Sequence, residues 1–184
     1  MARGRATPRA SCVTLCPERN CRRDTFVALN EILLSATFIR QIKGGNVAGS
    51  ASGFFYTSSE KLFLVTNRHV VCDESKGVLP EVLRLRLHRN ARAITDNGDY
   101  DVPLYRGGRP LWHTHPVHHS ADVAVIQVDK EDLFKEFRVK PWSSGELFPE
   151  RFRMDPGQDI FIMGYPLSFH DADHNLPLFR NAMI

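Results

Sequence analysis

Apolar and polar positions alternate in short runs along most of this chain, which is the pattern of strands that bury one face. The strictest alternation covers residues 82–88, where leucines alternate with polar residues. Residues 35–42 alternate well enough for a second strand, whereas 61–66 and 122–128 are mostly apolar, as in fully buried strands. The pattern also predicts a short helix at 28–34.

Turn residues separate these runs. Gly and Asn mark a turn at Lys43–Asn46, and a hairpin turn is predicted at Ser58–Lys61. Asn97-Gly98 favours a further tight hairpin. Pro103 cannot donate a backbone hydrogen bond, so the strand predicted at 100–105 is placed near a sheet edge. Short strands at this spacing, without helices between them, predict an all-β sandwich or barrel.

Charge is distributed unevenly along the chain. The net charge is +3, yet residues 1–23 hold six arginines against one glutamate, a charge of +5. The remaining eighteen basic and twenty acidic side chains give −2. We therefore expect no nucleic-acid partner for the body of the chain. The tail mixes arginine, proline and glycine without apolar periodicity, which predicts a disordered, solvated extension.

The sequence gives no sign of membrane insertion or secretion. No stretch approaches the ~18 uninterrupted apolar residues of a membrane-spanning helix, and the tail lacks the apolar core of a secretory signal. The pattern favours the cytoplasm. Cys12, Cys16 and Cys21 fall in the tail at a spacing looser than zinc knuckles use, and Cys72 lies in the body. Neither a disulfide framework nor a zinc site is expected from them.

Two polar residues beside apolar runs are candidates for catalysis. His69 follows the run 61–66 within Thr66-Asn67-Arg68-His69-Val70, and Asp122 begins the later run 122–128. A serine nucleophile needs a base within hydrogen-bond reach and a carboxylate that orients the base. Alone, such a histidine is commonly structural and such an aspartate is commonly a turn residue. In this order, each beside a strand, they predict a base and its carboxylate.

Four segments resemble trypsin-like serine peptidases, especially the bacterial and HtrA-type branch: 49–54, 64–71, 120–125 and Gly164-Tyr165-Pro166. The resemblance covers about residues 26–184. It implies a chymotrypsin-like fold of two antiparallel β-barrels with the active site in the cleft between them. It also implies hydrolysis of a protein or peptide substrate without a cofactor. By the resemblance, His69 would be the general base and Asp122 its orienting carboxylate.

The sequence pattern and the resemblance together divide the chain into four parts. These are a basic tail at 1–23, a first β-barrel with the histidine and the aspartate at 24–130, a connector at 131–156 and the start of an incomplete second barrel at 157–184. An incomplete barrel leaves unpaired strand edges and an open apolar face. We therefore predict that the part beyond Pro156 is prone to aggregation or partly unfolded when the chain is studied alone.

The nucleophile of the family is missing from the sequence. Its Gly-x-Ser-Gly motif cannot be read at any position. Ser50 and Ser52 precede the histidine, and Ser143-Ser144-Gly145 lacks the leading glycine. The sequence thus predicts a fragment of a trypsin-like endopeptidase, inactive alone and cut short before the nucleophile and the specificity pocket. The alternative is a non-catalytic module that binds peptides or proteins. No oligomeric state is predicted.

A histidine-rich segment is a rival site. Residues 112–122 come close to the H-x-H-x-D-H zinc motif of metallo-β-lactamase-type hydrolases, with His113, His115, His118, His119 and Asp122. Val117 stands where that motif needs a carboxylate, and adjacent histidines point to opposite sides of an extended chain. The segment is therefore predicted to be a solvated loop rather than a metal site.

Overall fold

The structure is a computed structural model that describes residues 30–73, 77, 79–118, 120–149, 151–168 and 171–184. Its strands are β1 (Ala36–Lys43), β2 (Asn46–Ser58), β3 (Lys61–Thr66), β4 (Val82–His88), β5 (Asn97–Pro103), β6 (Tyr105–Arg106), β7 (Arg109–Pro110), β8 (Trp112–Thr114), β9 (Ala124–Val128), β10 (Asp159–Gly164) and β11 (Leu178–Met183). Its α-helices are α1 (Arg68–Val71) and α2 (Lys130–Glu136), and 3-10 turns cover Glu31–Leu34, Ser144–Glu146 and Pro166–Ser168.

Seven strands form one antiparallel sheet in the order β5-β4-β1-β2-β3-β9-β8. Two small sheets, β6-β7 and β10-β11, accompany it. The predicted all-β class is confirmed. Among the described residues, however, the two edge strands of the large sheet, β5 and β8, do not pair with each other, so the sheet does not close into a barrel.

The helix predicted at 28–34 is a 3-10 turn over Glu31–Leu34, and Asn30 caps it by accepting a hydrogen bond from the Ile32 N–H at 3.1 Å. Residues 28 and 29 lie outside the described part of the chain, as do the basic tail and its three cysteines. None of the helices in the described part of the chain has the length and hydrophobicity that a membrane span requires.

Alternation in the strands builds the core. On β4, Leu83, Leu85 and Leu87 are all buried, while the arginines between them face outward. The pairing of β1 with β4 places Ile39 opposite Leu85, and Ile39 is fully buried as well. The apolar run of β3 contributes Leu64 to the same cluster. On β4 the sequence pattern therefore identifies the buried face.

Helix α2 lies in the segment that the sequence pattern assigned to a connector. Asp129 caps it, since the carboxylate accepts the Asp132 N–H at 3.0 Å. Leu133 is fully buried and Phe137, four positions later, is 2% exposed. This i, i+4 apolar pair behind an N-cap aspartate is the signal that could have revealed the helix.

The hairpin turn predicted at Asn97-Gly98 is wrong, because both residues belong to β5 and pair with β4. Gly98 is required by close packing rather than by a turn. A Cβ at this position would stand 2.8 Å from the Phe137 ring and 2.5 Å from the Arg89 guanidinium. The connection between β4 and β5 instead covers residues 89–96.

The β10-β11 pair is attached to the large sheet through Tyr165. Its backbone N–H donates to the Ser52 hydroxyl on β2 at 2.8 Å, and its ring lies 5.5 Å from the Phe38 ring on β1. The strands themselves remain exposed, with Phe161 on β10 at 74% and Met183 on β11 at 69%. These apolar surfaces support the prediction of an aggregation-prone C-terminal part, which stays a prediction.

Two hydrogen bonds connect the loop 171–176 to β4 and β5. The His88 Nε2–H donates to the His174 carbonyl at 2.8 Å, and the Asn97 side-chain amide donates to the Asp173 carbonyl at 3.2 Å. Burial lowers the pKa of His88 from its ordinary 6.5; the hydrogen bond to His174 opposes this effect and the charge of Arg86 adds to it. The buried ring is thus held in its neutral form.

The attachment of this loop is expected to weaken as the pH falls, because protonation would place a charge on the buried His88 ring even though its Nε2–H donor remains. Because the pKa of His88 is lower in the folded state, its stabilising contribution is complete above about pH 6.5 and is lost as the pH falls from there toward the folded-state pKa. Hydrogen exchange of residues 171–176, corrected for intrinsic rates, should therefore show less protection at about pH 5.5 than at about pH 7.5.

The matched variants are His88→Gln, which keeps a neutral donor at every pH, and His113→Gln at an exposed position. The first should remove the pH dependence and the second should retain it. The carboxyls with lowered pKa values act outside this window, since Asp101, Asp122 and Asp171 lie below their ordinary 3.8 and Glu146 lies below its ordinary 4.5. Identical pH profiles for wild type and His88→Gln would contradict the assignment.

Candidate active site

Helix α1 holds His69 at the end of β3. Val70 and Val71 are buried beneath the helix, and the Gln41 side-chain amide donates to the Val70 carbonyl at 2.7 Å. The strand before it is fixed by Thr66, whose hydroxyl donates to the Ser52 carbonyl at 2.9 Å. With its two neighbours anchored in the core, the His69 ring points outward and its side chain is 55% exposed.

Pairing between β3 and β9 brings Asp122 to the same place. Thr66, the last residue of β3, lies opposite Ala124, the first residue of β9. The residues just beyond these ends, His69 and Asp122, therefore meet although 53 positions separate them in the sequence. An antiparallel register thus assembles the site from two segments.

The two side chains are in direct contact. The His69 Nδ1 lies 2.6 Å from the Asp122 Oδ2, and the His69 backbone N–H donates to the Asp122 Oδ1 at 3.0 Å. Partial burial raises the pKa of Asp122. The hydrogen bonds and charge of His69, with a further hydrogen bond from Asn67, outweigh that effect, so the pKa lies below its ordinary 3.8. The carboxylate is therefore ionised at neutral pH.

An ionised carboxylate at Nδ1 selects one tautomer of the ring. Since carboxylate oxygens can only accept, the hydrogen of neutral His69 belongs on Nδ1. The lone pair is then on Nε2, the nitrogen away from Asp122. An imidazole in this state can take a proton from a hydroxyl or water that approaches Nε2, which is the chemistry of a general base.

Asn67 is the site residue whose role the sequence reasoning missed. Its side-chain Nδ2 donates to the Asp122 carbonyl at 3.1 Å and to the Asp122 Oδ2 at 3.2 Å. The residue is part of the Thr-Asn-x-His stretch that carries the family resemblance, so the signal was present in the sequence. The direction of its side chain depends on the β3–β9 pairing.

A groove of about 650 Å³ opens beside the pair. Asn67 and Asp122 lie on its wall, and much of the remaining lining is apolar, including Phe54, Leu147 and Phe148. Phe148 is 67% exposed, so an apolar surface is available next to the carboxylate. Such a surface could receive an apolar side chain of a peptide.

A second cavity, of about 1250 Å³, is larger but lies at the other end of the same strands. Its lining includes Leu62 and Val128, which pair with each other four residues from Thr66 and Ala124. Four strand residues span roughly 13 Å. The larger cavity is therefore remote from the His69–Asp122 pair, and we assign the chemistry to the smaller groove.

Two of the serines that the sequence reasoning considered have structural roles. The Ser52 hydroxyl accepts the Tyr165 N–H, and the Ser143 hydroxyl donates to a Glu146 carboxylate oxygen at 2.9 Å. The Ser143 backbone N–H donates to the same carboxylate oxygen at 3.0 Å, which is one bond of a capping box at the 3-10 turn. These geometries favour structural roles for both hydroxyls.

The histidine-rich segment is held as a turn. The His115 Nδ1 accepts the N–H groups of Val117 and His118 at 3.2 and 2.9 Å, and the rings of His115 and His118 lie 4.7 Å apart. His119 lies outside the described residues. Among the residues that are described, no group of three or more His, Cys, Asp or Glu side chains is arranged to hold a metal ion.

Comparison with known proteins agrees with this architecture. The trypsin-like peptidase domain family matches residues 51–181, which include the second half of β2, all of β3, the His69–Asp122 pair and β10. The chain therefore belongs to the trypsin-like peptidase family, and its all-β fold is of the chymotrypsin type. A search of curated proteins found no match to the chain. Membership of this family implies a protease-type function on protein or peptide substrates.

Proposed function

We propose that His69 is the general base, and Asp122 its orienting carboxylate, of a trypsin-like endopeptidase domain that hydrolyses peptide bonds. The observation that supports this most directly is the 2.6 Å contact between the His69 Nδ1 and the Asp122 Oδ2, because Nδ1 is then the nitrogen engaged by the carboxylate and Nε2 is the other one. The additional bond from the His69 backbone N–H fixes both residues relative to each other.

The chemistry assigned to His69 is a proton transfer in each half of the reaction. Nε2 takes the proton of a serine hydroxyl as the oxygen attacks the peptide carbonyl, and the imidazolium then returns it to the leaving amine. In the second half, Nε2 takes a proton from water, and returns it to the serine oxygen as the acyl group leaves. Asp122 stays ionised throughout and stabilises the imidazolium.

We further propose that these 184 residues alone supply the base and the carboxylate but no nucleophile, because Gly-x-Ser-Gly is not present in the sequence. Incubation with a fluorophosphonate probe and with fluorogenic casein tests this. Neither labelling nor hydrolysis above the buffer rate is expected. A serine within the chain that reacts with the probe, and loses the reaction in His69→Ala, would overturn this part of the proposal.

The second candidate is a non-catalytic peptide-binding module, which the apolar groove beside Asp122 favours. Trp142 also lies on the groove wall, so its fluorescence can report peptide binding there. If the chain is such a module, unfolded casein should quench the Trp142 fluorescence saturably, and Phe148→Ala should weaken this quenching. Reaction of a serine with the fluorophosphonate probe would refute it.

A further inference from the structure

Asn67 occupies the position immediately before α1, where asparagine commonly caps a helix by accepting an N–H of the first turn. Here the side chain makes no such bond. The backbone carbonyl of Asn67 accepts the Val70 N–H at 3.1 Å instead. The stabilisation that a cap provides is thus given up, and the amide is turned toward Asp122.

The amide holds Asp122 at two points. Its NH₂ group has two hydrogens, and two acceptors face it: the Asp122 carbonyl at 3.1 Å and the Asp122 Oδ2 at 3.2 Å. An amide turned the other way would place its oxygen against two oxygens, so the chemistry fixes the orientation. Because one group binds both the main chain and the carboxylate, it fixes the side-chain torsions of Asp122.

Apart from the bonds to His69, this amide is the main restraint on the Asp122 side chain. The residue precedes β9, and its side chain is 46% exposed, so packing does not lock the carboxylate. Of its three donors, the ring and the backbone N–H both belong to His69. Asn67 is the donor that comes from a different side chain, and it binds Oδ2, the same oxygen that accepts from the His69 ring.

We propose that Asn67 is a positioning residue for the His69–Asp122 pair: its amide holds the Asp122 carboxylate so that Oδ2 faces the His69 Nδ1. This inference rests on the proposed function of His69 and Asp122 and assigns to Asn67 the role of keeping the ring in its Nδ1–H tautomer. Asn67 itself does not touch the reacting nitrogen.

Two substitutions test the role in the full chain. Asn67→Ser keeps a side chain that caps helices well but is too short and lacks the amide donor. Asn67→Asp keeps the shape and replaces the donor with a second carboxylate. The matched control is Asn46→Ser at the first residue of β2, where the amide donates to the Gly44 carbonyl at 3.3 Å. Urea unfolding of each variant verifies that it is folded.

The readout is ¹H–¹⁵N NMR of the His69 ring at about pH 8, where a free imidazole is neutral. Wild type and Asn46→Ser are expected to show a low-field Nδ1–H resonance. Asn67→Ser is expected to lose intensity in that resonance and to gain Nε2–H tautomer, and Asn67→Asp to lose it entirely. An unchanged Nδ1–H resonance in Asn67→Ser would overturn the proposal, even if Asn67→Asp fails to fold.

The same spectra separate this inference from the proposed function. If Asp122→Asn changes the His69 tautomer while Asn67→Ser does not, the base and its carboxylate stand and the role of Asn67 is refuted. If Asp122→Asn leaves the tautomer unchanged, the pairing that underlies the proposed function fails, and the positioning role fails with it.

Discussion

Replacing Asp122 by asparagine is expected to reverse the tautomer of His69. The His69 backbone N–H binds the Oδ1 position, so an asparagine there must place its own oxygen at that point. Its NH₂ group then occupies the position of Oδ2, 2.6 Å from Nδ1 in the native protein. A donor facing Nδ1 requires a lone pair on Nδ1, so the ring hydrogen moves to Nε2. The NH₂ group would also face the Asn67 amide, which cannot accept from that side.

With its hydrogen on Nε2, the neutral ring has no lone pair on the nitrogen that should take the proton, so His69 cannot act as the general base. In ¹⁵N NMR of the neutral ring, the Nδ1–H signal should be replaced by an Nε2–H signal. In any form of the protein that hydrolyses casein, kcat should fall by roughly 10⁴, the known cost of the same exchange in a Ser-His-Asp triad. Asp101→Asn is the control, since Asp101 pairs with Arg84 on the outer face of the sheet. A hydrolysing Asp122→Asn variant with unchanged kcat would contradict the role of Asp122.

The proximity of His69 and Asp122 could be predicted from sequence because both residues are adjacent to strongly apolar strands. Such strands are buried and pair, and antiparallel pairing places the end of one beside the start of the other. The structure brings the two residues together in this way. Their roles in hydrolysis stay proposals, because proximity alone does not establish turnover.

The role of Asn67 could not be predicted in the same way. An asparagine before a helix fits an N-cap equally well, and sequence alone does not distinguish an amide that accepts from the helix from one that donates to a distant carboxylate. The pairing register of β9 against β3 places Asp122 beside Asn67, and the amide therefore donates to Asp122 instead of capping the helix. Long-range pairing therefore overrides the local preference.

Gly98 illustrates the opposite error. Asn-Gly is a strong hairpin signal because both residues tolerate positive φ. In the structure the glycine is needed because Phe137 and Arg89 approach its α-carbon, while the Asn97 amide binds the Asp173 carbonyl. Phe137 is brought there by α2, which the sequence reasoning did not expect. One missed helix thus led to a second wrong assignment.

Truncation of Phe55 should have the largest effect on stability. Phe55 is fully buried in the core of the seven-stranded sheet and lies opposite Leu64 on β3. Phe55→Ala would remove a ring from a packed interior and leave a cavity, a change that typically costs about 3–5 kcal/mol. Because domains of this size are stable by only about 5–15 kcal/mol, much of the folded stability would be lost.

The neighbouring Phe54 provides a matched control, since it has the same side chain on the opposite face of β2. It is 40% exposed and lies on the groove beside Asp122, so Phe54→Ala is expected to cost about 1 kcal/mol. Urea unfolding at neutral pH measures both, with a large fall in the midpoint for Phe55→Ala and little change in slope. Equal losses for the two variants would show that the large sheet does not bury the face that contains Phe55. The β3–β9 register that brings Asp122 to His69 depends on that same packing, because Leu64, opposite Phe55 on one side, pairs with Ile126 on the other.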